Sequence, residues 1–275
     1  MFCKRRDAPS LYGVPSFFGF INFIMKKNIK SFLVQVGLFG TVKTAYLYFE
    51  FIFVRLLDNI ITSKKECSKG TLRCDQNVFS GNYKYYLLGK DTPICCASNL
   101  YEILKDVTEV LEKNSIQYFI NYGTFLGSVR HKGLIPWDTD IDIGILEKDV
   151  EKVTDILNES YNDKYMIKKS GGYIRVFYSQ TNTLHLDFDI WHDEGDSITM
   201  YHDLEHGSLT CKKSDVFPTR KYDFYDLKLQ GPNNVRMLEQ AYGKDYMNVA
   251  YKKWGYTKSK KYEITKGEPA KIKRQ

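Results

Sequence analysis

Three aspartates at alternate positions, Asp138, Asp140 and Asp142, are the residues of this chain whose type and spacing speak most directly of chemistry. Ile141, Ile143 and Ile145 alternate with and follow them. Successive side chains on a strand point to opposite faces, so this alternation predicts a strand with acids on one face and isoleucines in a core behind. Carboxylates in a row repel one another unless a cation sits between them. Hard oxygen donors at this spacing suit Mg²⁺ or Mn²⁺. Just upstream lie Gly123, Thr124, Gly127, Arg130, His131 and Lys132. A glycine-containing turn lets backbone amides approach a phosphate, and an arginine fork can clamp it. Metal-binding acids beside a phosphate cradle define the chemistry to expect.

Two plainer readings fit less well. An EF-hand calcium loop needs Gly at its sixth position and Glu at its twelfth. Counted from Asp138, those positions hold Ile143 and Asp149. A solvated acidic edge strand leaves the preceding glycines and basic residues without a role. A second acid-bearing strand follows at Leu184 to Trp191, with Asp187 and Asp189 at alternate positions and His185 on the same face.

The segment from Asn121 to Leu146 reads N-Y-G-T-F-L-G-S-V-R-H-K-G-L-I-P-W-D-T-D-I-D-I-G-I-L. It resembles the signature of the LicD family of phosphoryl-ligand transferases, and the resemblance extends from about Cys67 to about Tyr251. It implies an α+β fold, a nucleotidyltransferase-like mixed sheet flanked by helices. The implied activity is metal-dependent transfer of a phosphorylated polyol, ribitol 5-phosphate, from a CDP-linked donor to a glycan hydroxyl. Phosphocholine transfer is the alternative inside the family, and a non-catalytic scaffold retaining the fold is the competing class.

By the same resemblance, Asp140 and Asp142 hold magnesium (or manganese), completed by a third acid from the second strand. Counting from Arg175 selects Asp187, counting back from Ile190 and Trp191 selects Asp189, and both are carried as catalytic and metal-binding candidates. Gly123, Thr124, Gly127, Arg130, His131 and Arg175 are the substrate-binding candidates. Asp138 is expected in support of the other acids, and Trp137 either in the core or stacked on the base. Cys67, Cys74, Cys95 and Cys96 resemble the family's cysteine loop, which implies a structural zinc; loop disulfides are the alternative. Four thiolates brought together make a closed tetrahedral zinc site, and metal would staple a loop with little core of its own. The family also implies Golgi residence on the lumenal side.

These residues need elements to hold them. Leu100, Ile103, Leu104, Val107, Val110 and Leu111 recur at helical spacing, predicting a helix over 97–114 with Ser98 as its cap. A short strand is expected over 116–120, a helix over 147–161, strands over 164–169 and 173–179, a polar rim loop over 195–210, a hairpin over 217–229 and a helix over 235–242. Residues 1–62 hold two apolar stretches, both interrupted by polar residues. Neither supplies the roughly 20 apolar residues of a clean membrane span. That segment is read as helical, lying on a membrane surface or serving as an oligomerisation stem, with an ordinary buried helical pair as the other reading. Residues 63–257 are the expected catalytic domain, with the cysteine loop at 67–96, and 258–275 a flexible basic tail.

The 275 residues allow one large domain or two small ones, and 43% hydrophobic content with 21 Tyr and 17 Phe excludes a disordered chain. The net charge of +7 favours an anionic partner. No motif with interleaved aromatics marks a nucleic-acid binder, so a phosphorylated substrate ranks first.

Overall fold

The helix that anchors the domain forms because its apolar residues fall on one stripe. It is α1, Ile94–Lys113, and it starts three residues earlier than expected, directly after Pro93. Ser98 does not cap it; its hydroxyl donates to the Ile94 carbonyl from inside the first turns. Leu100, Ile103, Leu104, Val107 and Leu111 are fully buried. Each contributes about 1.5–3 kcal/mol of burial. In this computed structural model the described residues are 67–74, 89–170, 172–201, 208–254, 258–263 and 267–273, with five isolated positions between 37 and 56. The helical reading of residues 1–62 therefore lies outside the described residues, apart from those positions. Among the described residues no helix is long and apolar enough to cross a membrane.

After α1 come β1 (Tyr118–Ile120), α2 (Tyr122–Arg130), β2 (Ile141–Leu146), a 3-10 turn (Glu147–Asp149) and α3 (Val150–Tyr161). Then follow β3 (Met166–Ser170), β4 (Tyr173–Phe177), β5 (His185–Asp193), β6 (Ser197–Tyr201) and β7 (Ser208–Lys212). A single turn, α4 (Lys213–Val216), leads to the hairpin β8 (Arg220–Phe224) and β9 (Leu227–Gly231), the helix α5 (Arg236–Tyr242) and the hairpin β10 (Val249–Trp254) and β11 (Lys258–Glu263). The architecture is α+β.

The main sheet has the order β1-β2-β5-β4-β3, with β6 on the far half of β5 and β7 beyond it. β2 and β5 run parallel; the other pairs in the sheet are antiparallel. One face of the sheet is apolar: Ile141, Ile143, Ile145, Ile174, Val176, Leu186 and Phe188 are all fully buried. They join α1 and the Val150, Val153 and Leu157 stripe of α3 in the main core. The opposite face divides in two. One end carries the acids. The other holds a second core of Phe119, Leu146, Trp191, Ile198 and Met200.

Two expectations about connections change. The stretch 195–210, read as a rim loop, is largely the β6–β7 pairing, although 202–207 lie outside the described residues. The basic tail, read as flexible, contributes β11, and its residues 267–273 lie along the domain. There Ala270 N–H donates to the Leu134 carbonyl, Tyr225 Oη donates to the Ala270 carbonyl, and Lys273 N–H donates to Ser98 Oγ. Backbone pairing is indifferent to side-chain charge, so a lysine-rich segment can still be bound.

Candidate active site and cysteine cluster

Only Asp142 of the three alternating acids stands on a regular strand. β2 begins at Ile141, and Asp138 and Asp140 occupy the segment leading into it. The parallel register sets Asp142 beside Asp187, and Gly144 beside Asp189. Two positions earlier the same register brings Asp140 toward His185: Nε2 of His185 is 3.9 Å from Asp140 Oδ2 and 3.8 Å from Asp187 Oδ2. Both candidate third acids thus face the pair. The two-residue ambiguity in the sequence has a structural cause, since residues two apart share a strand face.

Their partners distinguish them. Asp187 receives a bidentate fork from Arg175, at 2.5 and 2.6 Å, across the β4–β5 register. The Arg175 guanidinium is itself held between the rings of Tyr173 and Phe177. Asp189 accepts a 2.8 Å hydrogen bond from the Asn121 side-chain amide. Burial pushes the Asp189 carboxyl up to about 7, Asn121 opposes the shift, and the charges of Asp187 and Asp140 add to it. Burial, then the charges of Asp140, Asp189, Asp138 and Asp187, drive Asp142 well above the usual carboxylate range. Asp138 is raised for the same reasons, by burial and by Asp140. Asp140 is raised by burial, while His185 and the cations Arg73 and Arg175 pull it back. Carboxylates that raise one another in this way would be relieved by a cation placed among them. Asp138, Asp140, Asp142, Asp187 and Asp189 are each partly exposed, and carboxylate oxygens are donors of the kind that hard divalent cations take, but among the described residues only the four cysteines bring their ligand atoms within 4.8 Å of one another.

His185 is buried, with Nδ1 2.9 Å from the Thr183 carbonyl. A carbonyl only accepts, so Nδ1 carries the proton and the Nε2 lone pair of the neutral ring faces the acids. Burial lowers the imidazole pKa, which favours that neutral form. The sequence placed His185 on this face.

The glycines do not form the expected turn. Gly123 and Gly127 lie within α2. Both are required by close approach: a Cβ on Gly123 would sit 2.5 Å from Asp138 Oδ2, and one on Gly127 would sit 2.5 Å from the Gly133 carbonyl oxygen. Thr124 Oγ1 accepts the Asp142 N–H at 2.9 Å, pinning the start of the acid strand. α2 begins at the acids, because Asn121, the residue before it, bonds Asp189 and its own N–H donates to the Asp142 carbonyl. Helix amino-termini carry partial positive charge, so α2 offers the anion-binding end that the turn was expected to supply.

Arg130 is not a free phosphate clamp. It is buried, with Nε donating to His131 Nε2 at 2.9 Å and Nη1 to the Tyr246 carbonyl at 2.8 Å. His131 in turn contacts the Glu268 carbonyl through Nδ1 at 2.9 Å. Burial, reinforced by the Arg130 charge, holds the His131 pKa down at about 4. This pair ties α2 to the carboxyl-terminal segment. Arg130 nevertheless borders a cleft of about 590 Å³ together with Gly123, Trp137, Asp138, Thr139 and Tyr242. The cleft opens beside the acids and gives Trp137 a half-exposed wall position. Tyr242 was not singled out in the sequence; it lies near Asp138 and Asp142, whose charges, after burial, raise its phenol.

The four cysteines converge. Sγ–Sγ separations are 3.6 Å for Cys67–Cys96, 3.2 Å for Cys74–Cys95 and 3.1 Å for Cys74–Cys96, and all four ligand atoms lie within 4.8 Å of one another. All four are free thiols. A disulfide needs about 2.05 Å. Sulfurs around a tetrahedral zinc, with Zn–S near 2.3 Å, stand roughly 3.8 Å apart. The cluster can therefore hold a metal ion with little adjustment. Asn99 Nδ2 donates to Cys67 Sγ at 3.2 Å, which suits a sulfur carrying negative charge.

The fold is a mixed sheet flanked by helices in an α+β arrangement. Residues 115–234 match the family model described as LicD/FKTN/FKRP, nucleotidyltransferase domain. It is 32% identical over 186 residues to human ribitol 5-phosphate transferase FKRP, covering 64% of this chain and 38% of that protein. An uncharacterized Rickettsia typhi protein is 35% identical over 136 residues, or 50% of this chain and 42% of that one. The Haemophilus influenzae lipopolysaccharide cholinephosphotransferase LicD is 35% identical over 54 residues, 20% of each chain. The chain thus spans well under two thirds of the length of these relatives. Among solved structures, a lincomycin-bound lincosamide antibiotic adenylyltransferase aligns with TM-score 0.36 and 18% identity, over 54% of this chain and 85% of that one.

Proposed function

We propose that this protein transfers a phosphorylated polyol, ribitol 5-phosphate, from a CDP-linked donor to a glycan hydroxyl, with a divalent cation held by Asp140 and Asp142. The observation that carries the proposal is the register of β2 and β5, which sets Asp142 beside Asp187 at the amino-terminal end of α2 in a LicD-type domain. Similarity to the ribitol 5-phosphate transferase over 64% of this chain supports ribitol as the first donor alcohol. Similarity to the cholinephosphotransferase over 54 residues makes choline the second.

A cation bound at the acids would neutralise the donor diphosphate and lower the pKa of the attacking hydroxyl. The chain's own groups do the rest. Asp140 and Asp142 are the residues that would hold the cation. The start of α2 directs peptide N–H groups toward the phosphate. Arg175 fixes Asp187 in one orientation, so that carboxylate would serve the cation shell rather than proton transfer. Asp189, with a pKa near neutrality, takes the acceptor hydroxyl's proton. Trp137 and Tyr242 form the cleft walls against which the base can stack. A zinc ion at the cysteine quartet, following its donor set, would be structural.

The test is incubation with CDP-ribitol and with CDP-choline in separate arms, each with acceptor glycan and Mg²⁺, while CMP is measured. CMP release from the ribitol donor, abolished in Asp142→Asn, is the expected outcome. Release from the choline arm alone would transfer the activity to the sister reaction. Release from neither, with the protein folded, would favour the scaffold reading.

A further inference from the structure

The cysteine quartet and the acids touch through the backbone. Arg73, next to Cys74, is 3% exposed although it carries a full charge. Its Nη2 donates to the Thr139 carbonyl at 2.8 Å, between Asp138 and Asp140. Its Nη1 donates to the Thr183 carbonyl at 3.2 Å, the same oxygen that meets His185 Nδ1. From the other cysteine pair, Thr92 stands three residues before Cys95. Thr92 N–H donates to the Pro136 carbonyl at 2.7 Å and its Oγ1 to the Asp138 carbonyl at 2.5 Å. Both arms of the thiol site thus grip the segment that carries Asp138 and Asp140. One of them also grips the start of the second acid strand.

A buried guanidinium is costly unless its donors are satisfied, and carbonyl oxygens satisfy it only in a fixed geometry. A loop outside the sheet has no ladder of its own to hold it. Asp138 and Asp140 lie in such a stretch, so the three hydrogen bonds to the Pro136, Asp138 and Thr139 carbonyls replace the missing strand pairing. The sequence distance from Arg73 to Thr139 is 66 residues, so the constraint is tertiary.

We infer that Arg73 and Thr92 are positioning residues through which the cysteine quartet sets the geometry of Asp138 and Asp140, so that order at the thiol site raises the affinity of the carboxylate site for a divalent cation. The inference rests on the carboxylate reading of the proposed function. Coupling of this kind is reciprocal: a cation on the carboxylates also tightens the thiol loop.

The experiment uses the full chain and Mn²⁺ alone as probe, with free Mn²⁺ counted by electron paramagnetic resonance and zinc per chain by elemental analysis. Variants are Arg73→Met, Arg73→Lys and Thr92→Val, with Asp142→Asn as reference. Arg73→Met is expected to keep its zinc and weaken Mn²⁺ binding about tenfold, as loss of outer-shell partners does. Arg73→Lys, which keeps the charge and one donor, should recover part of the affinity; Thr92→Val should weaken it less than Arg73→Met. Faster hydrogen exchange at the amides of 138–142 should accompany each loss. If Arg73→Met and Thr92→Val retain zinc and bind Mn²⁺ like the parent, the inference is wrong while the proposed function stands. If the parent's Mn²⁺ binding is unaffected by Asp142→Asn, the carboxylate reading fails and takes this inference with it. Should Arg73→Met lose zinc, the other two variants decide, and parent-like Mn²⁺ affinity in both overturns it.

Discussion

The two clusters of ligand-bearing side chains differ in how they are closed. The four thiols lie within 4.8 Å of one another and are drawn from two short segments around 67–74 and 95–96. The carboxylates come from β2, its leading segment and β5, and three of them have side-chain neighbours: Arg175 on Asp187, Asn121 on Asp189, and His185 near Asp140 and Asp187 alike. Among the described residues only the thiols meet that mutual closeness. The difference follows from what each site has to do. A structural ion wants every position filled by protein, whereas a catalytic ion needs positions left for substrate oxygens and water. Charges kept apart and partly solvated can wait for a substrate; charges packed together cannot.

The sharpest way to break this contrast is Asp142→Asn. Transfer should fall by on the order of 10³-fold, several kcal/mol of lost charge stabilisation. The metal-free variant should melt above the parent, because one repelled carboxylate is gone. Retained turnover at unchanged Mg²⁺ dependence would refute the open site. Next, Cys96→Ser or removal of the thiol-bound metal should lower Tm by about 10 °C, since binding energy there is folding energy. If calorimetry finds an unchanged Tm, the quartet is not a closed staple. A smaller effect is expected of Arg175→Lys, which keeps charge but loses the planar fork. Cation affinity at the acids should drop about tenfold, read by titration with Mn²⁺, with little change in melting.

The smallest effect concerns pH. Burial raises the Asp189 carboxyl from the ordinary 3.8 to about 7. Between those values the folded state binds more protons than the unfolded one, so the stability of metal-free protein falls as pH rises through that window. Saturating Mg²⁺ should flatten the slope, and so should Asp189→Asn. Denaturant melts from pH 4 to 8 measure it; a slope of opposite sign would show that Asp189 is not desolvated.

Much of this was legible in the chain. Periodicity placed α1, α3 and the acid strand, because burial of one stripe or one face leaves a regular trace in the sequence. Asp187 and Asp189 were visible for the same reason. The glycines misled: Gly123 and Gly127 are there for close packing against Asp138 and Gly133 inside a helix, a requirement indistinguishable in sequence from a loop's. Arg130 and Arg175 also looked available for phosphate, and only tertiary structure reveals that backbone carbonyls and Asp187 hold them. Arg73 and Thr92 left no local signal at all. Their partners are carbonyl oxygens, which every residue has.

The like orientation of β2 and β5 has one more consequence. Ile143 against Phe188 and Asp142 against Asp187 are successive rungs of one ladder. Sliding either ribbon by a single rung would bury charge in oil and put oil in water. Evolution can therefore trade loops and rims around this centre freely, but cannot nudge the carboxylates sideways without dismantling the hydrophobic ladder that carries them.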